Sequence, residues 1–296
     1  MGLWAFWHSS SSERPRAEIV KHALKEKTME TPRNPFKQAL LAQRPQIGFW
    51  LNVPNTTTAE ICAAAGFDWL LIDGEHTTHS LQTILHQLQT IAAYPSAHAV
   101  ARVPMGHGHV GEMLIKQYLD MGVQTLLVPM VDTPEQAQAV VRAARYPGLD
   151  GWGGIRGMAG GRAARWGHYP RYVHEANDRL CILVQAETRA AIDNLEAIAD
   201  VEGVDGIFIG PADLSASMGF RGQPGHPDMQ ALMEDATRRI VRAGKAAGNL
   251  SADEPMARRY LEWGATFVAV GLDTVSLVRE TSRLVSAFKP SEKAPL

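Results

Sequence analysis

The feature of the sequence that most restricts its fold is a repeated alternation between short apolar runs and longer helical patterns. From residue 46 onward there are eight compact apolar runs, and helical stretches separate them. Runs of this kind are typical of parallel strands that are buried on both faces. We therefore predict strands at 47–51, 69–73, 99–103, 125–129, 181–187, 206–210, 246–250 and 267–270.

The segments between these runs have the period of amphipathic helices, and some begin with helix-capping residues. Thr133 and Pro134, for example, place a capping oxygen ahead of a first-turn proline. Eight strand–helix units in 296 residues predict an α/β fold, a TIM (β/α)8 barrel. A doubly wound open sheet is the alternative, but no G-x-G-x-x-G follows the first strand. We predict helices at 57–65, 81–92, 109–121, 134–145, 189–200, 229–247, 255–263 and 275–288.

We expect one barrel domain over residues 29–289. Residues 1–28 differ in character, with a Trp-containing start, a serine run and a charged stretch, and we expect a poorly ordered upstream extension. A genuine additional helix at 15–27 is the alternative, and residues 290–296 read as a tail. The stretch 148–177 looks irregular and too long for an ordinary connection, so it is expected to reach over the barrel mouth or toward a neighbouring subunit.

Charge and composition exclude several classes of partner. The formal net charge is −2 and no basic stripe is present, so we expect neither nucleic acid nor an anionic membrane surface as a partner. No apolar run has the length of a membrane span, and we see no secretory signal. The two cysteines, Cys62 and Cys181, lack ligand-like spacing and fit a reducing cytoplasm.

Polar residues at the carboxyl ends of the predicted strands are the candidates for chemistry, because TIM-barrel active sites lie there. Glu187 ends the fifth predicted strand and Asp213 follows the sixth. Two carboxylates on neighbouring strands form a hard-oxygen site suited to a divalent cation, Mg²⁺, Mn²⁺ or Co²⁺. The alternative is that each carboxylate caps a helix or pairs with an arginine. Gln185 shares the strand face of Glu187 and should lie beneath it.

Three further residues are predicted to act at the same rim. His76 follows the second strand, and Asp73 three residues earlier could fix its tautomer and raise its basicity. Arg102, on the third strand, would stabilise negative charge on an enolate oxygen. The alternatives are a solvated histidine and a buried salt bridge between Arg102 and a barrel carboxylate. The other histidines are interpreted as surface or structural.

The lysines and one turn refine this hypothesis. No lysine lies at the carboxyl end of a predicted strand, so a Schiff-base mechanism has no obvious nucleophile and a metal becomes the plausible electron sink. After the sixth strand, PADLS at 211–215 looks like the first turn of a short helix. The free N–H groups of such a turn would bind a carboxylate beside the metal.

These residues, together with longer stretches around them, resemble the 4-hydroxy-2-oxoheptanedioate aldolase family. That family includes 2-keto-3-deoxy-L-rhamnonate and 2-dehydro-3-deoxyglucarate aldolases, and the likeness runs from about residue 34 to 288. The stretches that carry it are WLLIDGEH at 69–76, QTLLVPM at 124–130, VEGVDGIFIGPADLS at 201–215 and FVAVG at 267–271.

The resemblance implies a class II pyruvate aldolase that forms a homohexamer, a trimer of dimers with exchanged C-terminal helices. It implies metal ligands Glu187 and Asp213, a base His76 paired with Asp73, and Arg102 on the pyruvyl oxygen. The implied substrate-binding residues are Gln185, Ala212, Asp213 and Leu250. The substrate would be a 4-hydroxy-2-oxo acid that yields pyruvate and an aldehyde such as succinate semialdehyde, lactaldehyde or tartronate semialdehyde.

Three departures from the family pattern leave the aldehyde open. The loop at 105–111 is extended and carries His107 and His109, the stretch 149–162 is altered, and Asn249 replaces an apolar residue. We expect these sites to border the aldehyde half of the substrate. Oxaloacetate decarboxylation on the same enolate and a subunit like the citrate lyase β chain are the alternative functions.

Overall fold

The computed structural model describes residues 29–148 and 153–289, and within them eight parallel strands close into a barrel. The predicted TIM barrel is therefore confirmed. Each strand pairs with the next along the chain, and β8 closes the barrel against β1, where the register shifts between Gly48 and Trp50. The strands are β1 Gln46–Leu51, β2 Trp69–Asp73, β3 His98–Arg102, β4 Thr125–Val128, β5 Cys181–Ala186, β6 Gly206–Ile209, β7 Ala246–Leu250 and β8 Phe267–Leu272.

Helices cover the outside of the barrel and begin close to the predicted positions. Thr133 and Ser80 each cap a helix with a complete capping box. The single helix predicted at 189–200 is wrong, because Asn194 separates two short helices. The helices are α1 Pro35–Leu41, α2 Thr56–Ala64, α3 Leu81–Ile91, α4 Gly108–Asp120, α5 Pro134–Ala144, α6 Tyr172–Arg179, α7 Arg189–Asp193, α8 Leu195–Ala199, α9 Pro211–Ser217, α10 Pro227–Arg242, α11 Glu254–Glu262 and α12 Asp273–Phe288.

The region predicted to be irregular, 148–177, contains regular structure. A 3-10 helix covers Arg162–Gly167, and α6 begins at Tyr172. The buried Arg156 anchors this region to the helical layer, since its Nη2 lies 2.9 Å from Asp120 at the end of α4 and its guanidinium stacks over Tyr146. The predicted extension at 1–28, the tail at 290–296 and residues 149–152 of the altered stretch lie outside the described residues.

One apolar layer lies on each side of the barrel wall. An outer layer joins the strands to the surrounding helices, and an inner cluster fills the barrel with side chains such as Trp69, Leu183 and Phe267. The helix α1 closes the lower end, where Phe36 and Leu40 join the inner cluster. Lys37 of α1 lies 3.1 Å from Asp205, which immediately precedes β6. This ion pair holds α1 against the amino ends of the strands.

The last helix, α12, carries an apolar stripe that the described chain leaves uncovered. Leu277, Val278, Leu284, Val285 and Phe288 fall on one side of the helix by their spacing, and all are exposed, Phe288 by 83%. No helix within the described residues combines the length and apolarity that crossing a bilayer requires. The predicted exchange of this helix with a neighbouring subunit stays a prediction.

Candidate active site

The side chains predicted to carry the chemistry gather at the carboxyl ends of β2, β3, β5 and β6. Asp73 ends β2 and pairs in register with Arg102, which ends β3. Gln185 lies on β5, Glu187 follows that strand directly, and Asp213 lies in the first turn of α9. Because parallel strands end at the same rim, the barrel brings these five residues to one mouth.

Arg102 is held at this mouth by a two-point contact with Asp73. Arg102 Nε donates to Asp73 Oδ1 at 2.8 Å, and Nη2 donates to Oδ2 at 2.7 Å. Trp50 Nε1 also donates to Asp73 at 3.2 Å. Burial pushes the pKa of Asp73 upward, but the hydrogen bond and charge of Arg102 outweigh it, so that pKa lies below its usual value. The salt-bridge alternative therefore describes Arg102 correctly, and the pair fixes a cation inside the mouth.

A second set of hydrogen bonds orients Glu187. Gln185 Nε2 donates to Glu187 Oε2 at 2.9 Å, and the backbone N–H of Met130 donates to Oε1 at 2.8 Å. Gln185 in turn accepts from Arg102 Nη1 at 3.4 Å. Glu187 packs so closely over Gly210 that a side chain there would lie 2.4 Å from its carboxylate. Both oxygens of this buried carboxylate are thus set in place by neighbouring groups.

Negative charge is concentrated around Glu187. Burial is the largest cause that raises its pKa, to about 7, and the charges of Asp213 and Glu75 raise it further, against Met130 N–H and Arg102. Burial also raises the pKa of Glu75, with Asp73 and Asp213 adding to the effect. Carboxylates that raise one another's pKa in this way are stabilised in the charged form when a cation binds between them.

The donor set fits a cation that is bound only in part by protein. Among residues 29–148 and 153–289, no three His, Cys, Asp or Glu side chains are grouped as a complete metal-binding cluster. Glu187 and Asp213 would supply two carboxylates, and water or substrate oxygens would fill the other positions. Sites with one or two carboxylates and substrate ligands are typical of Mg²⁺ and similar ions.

The predicted pairing of His76 with Asp73 is wrong in this structure. Both oxygens of Asp73 face Arg102, and the ring of His76 lies nearest to Glu75, with 3.7 Å between Nε2 and Oε2. Glu75 Oε2 also lies 2.8 Å from Arg102 Nη1. The His76 side chain is 63% exposed, at the edge of the mouth. A carboxylate does accompany the imidazole, but it is Glu75, because the two oxygens of Asp73 are already occupied.

Leu250 and Asn249, at the end of β7, were both expected to lie near the substrate, but their side chains face opposite sides of the strand. Leu250 pairs with Ala269 and packs against the inner cluster, so its side chain faces the barrel interior, and its contact with substrate stays a prediction. Asn249 pairs with Val268, which belongs to the outer layer. Asn249 therefore faces the helices, and the expectation that it borders the aldehyde is wrong.

Three residues of the site were not predicted to act there. Glu75 and Trp50 contact the Asp73–Arg102 pair, and Met130 contacts Glu187. Glu75 could have been found, since it stands in the same strand-end motif as His76. Met130 could not, because its contact uses the backbone in a left-handed conformation, with φ of 57°.

Comparison with known proteins identifies the family of the chain. Residues 46–279 match the family described as HpcH/HpaI aldolase/citrate lyase. A 4-hydroxy-2-oxovalerate aldolase of Rhodococcus jostii is 56% identical over 88% of this chain and 98% of its own length. A hydroxypyruvate/pyruvate aldolase of Deinococcus radiodurans is 59% identical over 88% of this chain and 91% of its own.

Two other matches extend the comparison. A 4-hydroxy-2-oxo-heptane-1,7-dioate aldolase of Salmonella heidelberg is 53% identical over 88% of this chain and 97% of its own length. The crystal structure of an HpcH/HpaI aldolase/citrate lyase family protein from Burkholderia cenocepacia superposes with a TM-score of 0.82 at 37% identity, covering 86% of this chain and 99% of that one. The chain therefore belongs to the HpcH/HpaI aldolase/citrate lyase family, and it is a carbon–carbon lyase.

Proposed function

We propose that this enzyme catalyses the reversible retro-aldol cleavage of a 4-hydroxy-2-oxo acid to a pyruvate-type 2-oxo acid and an aldehyde. The observation that carries the proposal is the buried Arg102, fixed by Asp73 beside the acidic pair Glu187 and Asp213. A fixed cation and a candidate metal site at one mouth are what an enolate oxygen requires. The names of the three relatives support the same substrate class.

Glu187 and Asp213 are proposed to hold a divalent cation, Mg²⁺, Mn²⁺ or Co²⁺. The raised pKa of Glu187 supports this, since a cation would offset the repulsion that raises it. When bound, the cation supplies Lewis-acid polarisation of the 2-oxo carbonyl. Met130 N–H and Gln185 keep the Glu187 carboxylate in one orientation, which a preformed ligand needs.

The protein groups around the substrate would then divide the remaining work. His76, oriented by Glu75, removes the proton from the 4-hydroxyl group. The C4–O bond becomes a carbonyl, the C3–C4 bond breaks, and its electrons pass to the oxygen at C2. Arg102 stabilises the negative charge there. The aldehyde leaves, and protonation at C3 gives pyruvate.

The carboxylate of the 2-oxo acid is proposed to lie on the first turn of α9. The first backbone bond of this helix is made by Leu214 N–H to Gly210, so the N–H groups of Ala212 and Asp213 precede it. Such N–H groups bind carboxylates well. Leu250, at the end of the neighbouring strand β7, would contact the substrate beside this turn.

The enzyme is proposed to work in the cytoplasm as a homohexamer, a trimer of dimers in which C-terminal helices are exchanged. The exposed apolar stripe of α12 supports an assembly, because burying it removes apolar area from water. The buried free cysteines, Cys62 and Cys181, are consistent with a reducing compartment.

The test is an aldolase assay on the purified chain with Mn²⁺, supplying pyruvate or hydroxypyruvate with succinate semialdehyde, lactaldehyde, tartronate semialdehyde or acetaldehyde. We expect aldol products that disappear with excess chelator and with Glu187→Gln. Full activity in chelator would refute the metal. Carbon dioxide release from oxaloacetate without any aldol product would favour decarboxylation, and activity that needs an acyl-carrier or CoA partner would favour a citrate lyase β-like subunit.

A further inference from the structure

The loop between β3 and α4 is packed onto the end of β4 rather than standing free in solvent. A side chain at Gly106 would lie 2.1 Å from a methyl carbon of Val128, and one at Gly111 would lie 2.3 Å from the backbone of Gly106. Gly108 has a φ of +61°, which favours glycine. Three glycines thus let the loop close against β4, and this closure determines where His107 lies.

His107 contacts the backbone of a residue that the catalytic hypothesis needs. Its Nε2 lies 2.5 Å from the carbonyl oxygen of Met130. Because a carbonyl oxygen can only accept, His107 Nε2 carries the proton and donates. Met130 has the left-handed φ of 57°, a conformation that costs free energy for a residue with a side chain and persists only where neighbouring contacts hold it.

The same residue, Met130, donates its N–H to Glu187 Oε1 at 2.8 Å. The next N–H along the chain, that of Val131, is bonded to the carbonyl of Gln185 at 3.1 Å. The backbone at Met130 is therefore held from two sides: His107 from the loop and β5 from the barrel. Without the loop contact, only the barrel side would hold the peptide that orients the Glu187 carboxylate.

We propose that His107 is a positioning residue that orients the metal ligand Glu187 through the backbone of Met130. The inference rests on the proposed function, since it takes Glu187 as a ligand of a divalent cation. The contact of His107 is with the Met130 carbonyl, and it reaches Glu187 only through the Met130 backbone. Its effect is on metal affinity, and the packing of the extended loop against β4 brings it to Met130.

The test is calorimetric titration of the metal-free, full-length enzyme with Mn²⁺ alone, for the wild type, His107→Ala, His107→Gln, His109→Ala and Glu187→Gln. Substituting a residue that orients a metal ligand typically weakens metal affinity by about 10- to 100-fold. We expect His107→Ala to weaken Mn²⁺ binding by about tenfold or more. His107→Gln should recover much of the loss, since its amide can donate to the same carbonyl.

His109→Ala is the matched control, because it removes the other histidine of the same loop. The His109 ring is fully exposed and lies 3.3 Å from Glu112, away from Met130. We expect wild-type affinity for it. If His107→Ala binds Mn²⁺ as the wild type does, or if all three loop variants weaken binding equally, the inference is overturned while the proposed function stands. If the wild type and Glu187→Gln bind Mn²⁺ equally, the metal site itself is wrong.

Aldolase kinetics give a second readout that general damage to the fold would not produce. For His107→Ala, the Mn²⁺ concentration for half-maximal activity should rise by the same factor as the dissociation constant. Turnover at saturating Mn²⁺ should stay within about twofold of the wild type. A fall in turnover that saturating Mn²⁺ does not restore would overturn the assignment to metal positioning.

Discussion

Arg102 and Asp73 meet through two parallel hydrogen bonds at the carboxyl ends of β3 and β2, both shorter than 3 Å and both buried. The two residues pair in register, so the sheet itself sets the distance between their backbones. The guanidinium is thereby locked before any substrate arrives. A group whose position is fixed in advance stabilises developing charge without reorganisation during the reaction.

Replacing Arg102 with lysine should therefore damage catalysis although it keeps the charge. A single ammonium cannot reproduce the planar two-point contact with Asp73. We expect turnover to fall by about 100-fold, as for the loss of one oxyanion donor, with Mn²⁺ affinity nearly unchanged. The control is Arg258→Lys, in an exposed helical pair with Glu254. Equal activity of the two variants in steady-state assays would contradict the role of Arg102.

The stability of the metal-free enzyme should respond to pH through Glu187. Its pKa rises from 4.5 to about 7 on folding, mainly by burial, so between these values the folded chain binds more protons than the unfolded chain. Stability from this group is therefore lost as pH rises through that window, by about 1.4 kcal/mol per unit.

The variant Glu187→Gln lacks this titration and serves as the comparison. In chelator, the stability of Glu187→Gln relative to wild type should increase by about 2–3 kcal/mol between pH 4.5 and pH 8. Denaturation curves at fixed protein concentration over this range measure the difference. Added Mn²⁺ at pH 8 should stabilise the wild type only. Parallel pH dependence of the two proteins would show that Glu187 keeps an ordinary pKa.

Asn249 should be a site where an apolar substitution stabilises the fold. It is fully buried on the helix-facing side of β7, and within the described chain neither its amide nitrogen nor its oxygen has a hydrogen-bond partner. A buried polar group left unpaired costs about 1–3 kcal/mol. We expect Asn249→Leu, whose side chain branches at the same carbon as that of Asn, to raise the free energy of unfolding by about that amount.

Asn177 provides the opposite case for the same substitution. Its amide oxygen accepts from Tyr146 N–H at 2.9 Å, and its nitrogen donates to the Tyr146 carbonyl at 3.2 Å. Asn177→Leu should therefore destabilise the protein. Urea unfolding of the two variants beside the wild type measures both effects, and a loss of stability in Asn249→Leu would contradict the cost assigned to its unpaired amide.

A charge placed in the apolar stripe of α12 should separate the subunits. Leu284→Glu puts a carboxylate among Leu277, Val285 and Phe288, where burial against another chain would strip its water. Sedimentation velocity should show a smaller species than the proposed hexamer. Ser286→Glu, two residues away on the other side of the same helix, should leave the assembly intact. Identical sedimentation of both variants would place the subunit contact elsewhere.

The sequence predicted the barrel well because each buried parallel strand is a compact apolar run that cannot be mistaken for a polar loop. Predicted and observed strands differ by one or two residues at their ends, for example at β3, where hydrogen bonding and apolar character stop at different residues. The helix α1 was missed because seven residues carry too little periodicity. The break at Asn194 was missed because the apolar pattern continues through it.

At the site, strand ends were sufficient to locate Glu187, Asp213 and Arg102, since barrel geometry brings strand ends together whatever the side chains. The pairing inside the site could not be predicted in the same way. Spacing along the chain placed Asp73 near His76, but the bond across the sheet to Arg102 is stronger and occupies it. Contacts through the backbone, such as that of Met130, depend on a local φ/ψ conformation that the residue type does not predict.

The helix α1 gives the barrel a blind lower end. With Phe36 and Leu40 lodged below the inner cluster and Lys37 tied to Asp205, the described chain leaves the upper rim as the route of exchange. Both products of the cleavage would then leave through the upper rim of the barrel. The 2-oxo acid product, bound deepest beside Arg102 and Gln185, would leave only after the aldehyde has left. The filled interior and the helix beneath it, remote from any reacting atom, would in this way set the order in which products leave.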